Sequence, residues 1–140
     1  MSVSTHLPLV SDFMDKSFAT LTPETPMQHA IRLLVKKKLT GVLVVDAQNQ
    51  KQLLGVLSET DCLKILLRHG FDRFPDDMVR SYMHPVPRTV ESGLDIIRAS
   101  QIFIDNPFRR LAVVDDGKLV GQITRRDIVK QMGKYFKDIG

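Results

Sequence analysis

The sequence predicts an α+β fold built from two tandem β-α-β-β-α repeats, and three observations predict it. First, sliding the 140-residue chain by 69 positions aligns Met14 with Met83, Thr20 with Thr89, Ala30 with Ala99, and Val44-Val45-Asp46 with Val113-Val114-Asp115, without a gap. Self-similarity at a fixed offset is the signature of a duplicated supersecondary unit. Second, the offset then falls to 66, aligning Gly55 with Gly121, Asp61 with Asp127 and Lys64 with Lys130. The lost residues fall in a turn, Ala47 to Gln52 against Asp116-Gly117-Lys118, where a duplication tolerates a deletion. Third, each copy carries Gly, an apolar strand end, a hydroxyl residue and, three positions later, Asp: Gly55 to Asp61 and Gly121 to Asp127.

Each copy opens with a lead-in, Val10 to Met14 or Val79 to Met83, for which Asp76-Asp77 offers an N-cap in the second copy. A brief extended segment follows at Thr20-Leu21 or Thr89-Val90. The first helix is expected from about Pro26 to Lys38, capped by Thr25 with Pro26 at its first position. Met27, Ala30, Ile31, Leu34 and Val35 form one helical stripe. In the second copy Ser92 offers the cap, and Ile96, Ala99, Phe103 and Ile104 form the matching stripe up to Asn106-Pro107. Lys36-Lys37-Lys38 suits a helix C-terminus, where cations complement the dipole.

Two aliphatic strands come next, Val42 to Val45 and Leu53 to Leu57, then Leu111 to Val114 and Leu119 to Ile123. Asp116-Gly117 is a strong hairpin signal. The closing helices start near Asp61 and Asp127; one reaches about Arg68 and the other about Phe136, weakened at Gly133. The organisation is repeat one at 10–69, a polar linker at 70–78 with Gly70, Phe71, Phe74 and Pro75, repeat two at 79–133, and a tail at 134–140. Neither half is long enough for a good core alone, so the two sheets are expected to pack on each other.

Composition excludes several classes. Hydrophobic residues are 43%, charged residues 26%, and net charge is +4, ordinary for a soluble domain and too mild to imply nucleic acid. The single Cys62 excludes a disulfide framework and a Cys-rich zinc site, and is expected as a small core residue; its place at a helix start is one that can lower a thiol pKa. His6, His29, His69 and His84 share no ligand spacing, so no metal is expected. No apolar run reaches the roughly 18 residues of a membrane span, and no secretory signal is visible at Met1 to Val10, so a cytoplasmic protein is expected. No nucleophile–base–orienter set is legible, which argues against an enzyme.

The S/T-x-x-D ends admit two readings. The pattern is a capping box. It also places a hydroxyl and a carboxylate at a helix N-terminus, where free N–H groups favour an anion and a carboxylate accepts vicinal hydroxyls. Arg125-Arg126 flanks Thr124 where Glu59-Thr60 flanks Ser58, so the second end is the more electropositive.

The duplicated order, the Met14 and Met83 lead-ins, the Val-Val-Asp strands, Gly55 and Gly121, and the S/T-x-x-D ends resemble the CBS (cystathionine-β-synthase) domain pair, or Bateman module, over about residues 10 to 133. The resemblance implies pseudo-twofold symmetry and two clefts between the repeats that hold an adenosine-containing ligand such as AMP, ATP or S-adenosylmethionine. It implies that Asp61 and Asp127 hold ribose hydroxyls and that Ser58 and Thr124 sit near ribose or phosphate. Backbone at Gly41-Val42-Leu43 and Arg110-Leu111-Ala112 would edge the adenine, with Thr20 and Thr89 lining the clefts. Thr60, Arg125 and Arg126 complete the expected ligand set. The family often has proline just before the Val-Val-Asp run, where this chain has Leu43 and Ala112.

The implied function is a stand-alone regulatory sensor with no cofactor, a homodimer paired through its helices, with the aromatic Tyr135-Phe136 end available to a partner. With almost nothing outside the module, output is expected through a protein partner in trans, or the module only buffers ligand. The alternatives are a nucleic-acid binder using Lys36 to Lys38, Arg109-Arg110 and Arg125-Arg126, which lacks an aromatic platform, and a ligand-free dimerisation module.

Overall fold

The structure is a computed structural model that describes residues 6–71 and 76–139. The elements run α1 (Val10–Phe13), β1 (Thr20–Leu21), α2 (Met27–Lys37), β2 (Gly41–Val45), β3 (Leu53–Ser58), α3 (Glu59–His69), a 3-10 turn at Val79–Ser81, β4 (Thr89–Val90), α4 (Ile96–Asp105), β5 (Arg110–Asp115), β6 (Lys118–Thr124) and α5 (Arg125–Ile139). They form two three-stranded sheets, ordered β1-β2-β3 and β4-β5-β6. The α+β repeat plan is as the sequence predicts.

The chain divides into two compact units that do not follow the repeat boundaries. One is Ala19–Pro87; the other joins Met1–Phe18 to Arg88–Gly140. Each lead-in therefore serves the sheet of the other repeat. In the first unit, His84 N donates to Val56 O at 3.0 Å and Val56 N to His84 O at 2.9 Å. In the second, Asp15 N donates to Gln122 O at 2.9 Å and Gln122 N to Asp15 O at 3.0 Å. This explains the recurrent glycines. A Cβ on Gly55 would stand 2.8 Å from His84 O, and one on Gly121 would stand 2.7 Å from Met14 Sδ and 3.1 Å from Asp15 O.

Each unit has a core of its own. Leu21, Met27, Ala30, Leu34, Val42, Val44, Leu57 and Ile65 close the first, with Val79 and Tyr82 from the borrowed lead-in. Val90, Ala99, Phe103, Leu111, Val113, Ile123 and Ile128 close the second, with Val10 borrowed. Tyr82 is anchored by its hydroxyl on Asp77 at 2.6 Å, and the Arg68 guanidinium lies 5.0 Å from its ring centre.

Several local expectations are corrected. Pro26 rather than Thr25 is the N-cap of α2, because Thr25 Oγ1 is taken by Thr22 N and Thr22 Oγ1. Asp95 caps α4 by accepting from Arg98 N, while Ser92 instead bonds Asp115 through both its N and Oγ. No acid caps the 3-10 turn: its N-cap is Met78, and Asp77 is committed to Tyr82 and His69. Helix α5 runs through Gly133 to Ile139, beyond the expected end; nothing crowds Gly133, and the cost of one glycine is about 1 kcal/mol. Phe74 and Pro75 lie outside the described residues. The hairpin at Asp116-Gly117 has positive φ at both positions, 52° and 76°, as a two-residue primed turn requires. Lys36 and Lys37 occupy the last turn of α2, and Lys38 closes it in the left-handed region.

Candidate functional site

In each unit the sheet brings the predicted residues to one end. Thr20 on β1 pairs with Leu43 on β2, and Gly41 on β2 pairs with Ser58, the last residue of β3. The same register places Thr89 against Ala112 and Arg110 against Thr124. The side chains of Val42, Leu43, Leu111 and Ala112 are buried, so only their backbone is available to a ligand. The β1 ladder covers only Leu43 and Val44, leaving Gly41 and Val42 without a strand partner on that side. The β4 ladder likewise covers only Ala112 and Val113 of β5.

Both hydroxyl–acid ends form a capping box. Ser58 N and Oγ donate to Asp61 Oδ2 at 2.8 and 2.9 Å, and Asp61 N donates back to Ser58 Oγ at 3.3 Å. Thr124 N and Oγ1 donate to Asp127 Oδ2 at 2.9 and 3.1 Å, and Asp127 N returns a 3.2 Å bond. The hydroxyl satisfies one orphan helix N–H, and the carboxylate satisfies the cap residue itself.

The surroundings of the two carboxylates differ. Asp61 is only 3% exposed, and it also receives His84 Nδ1 on Oδ2 at 2.7 Å and Lys64 Nζ on Oδ1 at 3.3 Å. Burial pushes its pKa up, but the bonds from the Ser58 backbone and hydroxyl, the His84 charge and the Lys64 bond outweigh that and hold the carboxyl below its ordinary value. Asp127 is half-buried. The residue matching His84 in its lead-in is Asp15, whose Oδ1 accepts from Ser17 N at 2.9 Å. Thr60, Arg125 and Arg126 are exposed, as is Thr89.

The Asp61–His84 pair has no local spacing signal, since His84 lies 23 residues from Asp61 across the linker. The signal available was the repeat alignment, which sets a polar residue directly after the lead-in methionine in both copies. Cys62 is half-buried; burial first, then the charges of Asp61 and Glu59, push its thiol up to about 11, so the helix start does not activate it.

A second pair of matched features lies between the helices. An apolar groove between α2 and α3 is lined by Val35, Cys62 and Leu63 with Glu59 at its rim. The groove between α4 and α5 is lined by Ile104, Ile128 and Val129 with Arg125 in the place of Glu59. Val35 and Ile104, expected in core stripes, are 73% and 76% exposed here. Among the described residues no group of His, Cys, Asp and Glu is placed to hold a metal ion, and no helix is long and apolar enough to cross a membrane.

A duplicated three-stranded unit, with exchanged lead-ins and a hydroxyl–acid pair at each β-to-α junction, defines a tandem-repeat module. The CBS domain model matches twice, at residues 10–68 and 79–134, and the chain belongs to the CBS domain family. It is 32% identical over 149 aligned positions to the chloroplastic CBS domain-containing protein CBSX2 of Arabidopsis thaliana, covering 86% of this chain and 62% of that protein's length. The crystal structure of CBSX2 in complex with AMP superposes with a TM-score of 0.77 at 33% identity, covering 91% of this chain and 97% of that one. A CBS domain-containing protein of unknown function from Bacillus anthracis gives 0.75 at 26% identity, covering 90% and 93%. A match to inosine-5'-monophosphate dehydrogenase of Aquifex aeolicus, 31% identical, takes in 80% of this chain but only 22% of that enzyme.

Proposed function

We propose that this chain is a sensor module that binds an adenosine-containing ligand, with AMP as the first candidate, at the strand-to-helix ends marked by Ser58-Asp61 and Thr124-Asp127. The observation that carries the reading is the duplication of a hydroxyl and a carboxylate at a helix N-terminus, each at the end of the strand hairpin. Each part suits one part of a nucleotide. The strand edge at Gly41-Val42 offers backbone N–H and C=O to an adenine rim, and Leu111 holds the matching position on β5. The carboxylate accepts ribose hydroxyls, and the helix N-terminus with Arg126 favours a phosphate. The AMP complex of CBSX2, at 33% identity across 91% of this chain, supports the choice of ligand. Signalling then passes to a protein partner, for which the chain's own ligand state is the message.

The test is a thermal-shift series with AMP, ATP and S-adenosylmethionine. A ligand that binds only the folded chain stabilises it by mass action, by about 2.7 kcal/mol at a hundred times Kd, and so raises its melting temperature. AMP is expected to raise it and 2′-deoxy-AMP to leave it unchanged. Equal shifts from both would remove Asp61 and Asp127 from the ribose. A steep fall of binding with salt to an oligonucleotide would favour the nucleic-acid alternative instead.

We further infer a homodimer through the helix faces. Val35, Leu63 and Leu67 on one unit, and Ile104, Val129 and Met132 on the other, are exposed apolar side chains. The matched grooves carry opposite rim charges, Glu59 and Arg125. Light scattering is expected to give twice the chain mass at micromolar concentration, and a monomer there would sink the inference.

A further inference from the structure

We propose that His84 is an internal competitor for the Asp61 carboxylate, so that the two copies fill in order: a diol ligand takes the Asp127 end first, and the Asp61 end only once the His84 imidazole has swung away. This rests on the reading above and adds a rule of occupancy to it. A carboxylate has about four acceptor positions. Asp61 Oδ2 already receives Ser58 N, Ser58 Oγ and His84 Nδ1, and Oδ1 receives Lys64 Nζ. A vicinal diol needs two of those positions. The Ser58 N bond is part of the helix cap and stays. Lys64 supplies one position if it yields, its side chain being 51% exposed. Ser58 Oγ is tied into the same cap by Asp61 N, so on Oδ2 the position that can be vacated is the one His84 holds.

The imidazole is built to move while its backbone is not. Both backbone polar groups of His84 are bonded to Val56 across the sheet edge, at 3.0 and 2.9 Å. Gly55 leaves the room for that close approach. The His84 side chain is 42% exposed, so a change of rotamer carries the ring into solvent without unpairing the lead-in. Among the described residues no imidazole stands on the Asp127 carboxylate of the other copy. There the lead-in places Asp15, a second acceptor, which cannot donate to Asp127 in place of a ribose hydroxyl.

The experiment is calorimetry with AMP on the full chain. In an Asp127→Asn background the remaining event belongs to the Asp61 end. Adding His84→Ala is expected to tighten that event about tenfold or more, the size of a charge-assisted hydrogen bond that no longer has to be broken. A further Asp61→Asn is expected to abolish it. Equal affinity with and without His84, or weaker binding without it, overturns the proposal while leaving the adenosyl reading intact. A wild-type chain that gives no AMP heat at millimolar ligand fails that reading, and the competitor proposal falls with it. A second measurement covers variants that fold poorly. The imidazole nitrogen resonances of His84 in the wild-type chain are expected to lose the Nδ1 hydrogen-bonded signature at AMP saturation; an unchanged signature with both ends filled overturns the proposal.

Discussion

The two units copy each other's backbone closely and each other's chemistry poorly. Register, hairpin, capping box and borrowed lead-in recur from one to the other. Yet Asp61 sits under an imidazole and an ammonium, while Asp127 sits under the threonine of its own cap. The Ser92–Asp115 bonds likewise have no copy, because Pro23 stands where Ser92 would be. Duplication thus preserves what the backbone needs and frees the side chains that a ligand would meet. The bland reading of S-x-x-D, a helix cap, is correct in both units. What distinguishes them is how much of the carboxylate remains after capping.

The sharpest way to break this comparison is at the matched glycines. Gly55→Ala drives a Cβ against the rigid backbone oxygen of His84 and is expected to cost about 3 kcal/mol. Gly121→Ala meets the flexible Met14 thioether first and is expected to cost about 1 kcal/mol. Urea midpoints decide it, and equal costs would mean that the two lead-ins are held alike.

Next in size are the acids. Asp61→Ala loses a cap and the shared acceptor of His84 and Lys64, for about 2 kcal/mol; Asp127→Ala loses little beyond the cap, about 1 kcal/mol. The pH dependence has a definite sign. Asp61's carboxyl titrates below its unfolded value, so its contribution is complete above about pH 4 and is lost as pH falls through the lowered pKa. Melting curves from pH 6 to 3 are expected to be flatter in Asp61→Asn than in wild type. Some slope remains from Asp115, which the side-chain and backbone bonds of Ser92 lower in the same direction. A slope identical to wild type would show that the Asp61 network adds nothing to acid stability.

The smallest effect concerns the arginines. Arg125 lines the α4–α5 groove, which leaves Arg126 for the phosphate end. Arg126→Gln is expected to weaken AMP binding about fivefold, and Arg125→Gln less than twofold, by calorimetry; one exposed charge is worth about 1 kcal/mol. The reverse order would place Arg125 at the ligand.

Most of the fold was legible because a repeat is legible. Offsets of 69 and 66 identify strands, hairpin and cap ends without any pairing rule. The starts of α2 and α4 differ from the expected caps because Thr25 is held locally by Thr22, and Ser92 by Asp115, which the fold brings within reach. Val35 and Ile104 lie on the apolar stripes yet stay exposed, because helical periodicity marks an apolar face without saying what covers it. The hydroxyl–acid caps and the strands that lead into them are legible directly. His84 is not, because the exchange of lead-ins is a property of topology. Local sequence gives the lead-in a short turn and leaves its destination open.

That exchange also fixes an order of assembly. The unit Ala19–Pro87 is one uninterrupted stretch, whereas its neighbour joins Met1–Phe18 to residues beyond Arg88. A chain emerging from the ribosome holds every part of the first unit before β6 exists, and Val10, fully buried at the end, has nowhere to go until then. Closing a loop of this length from an unfolded chain costs about 4 kcal/mol in entropy. A first unit already folded shortens that loop in advance, so hydrogen-exchange labelling during refolding is expected to protect Val44 and Leu57 before Val113 and Ile123. The opposite order, or simultaneous protection, would mean that the last-made half templates the first.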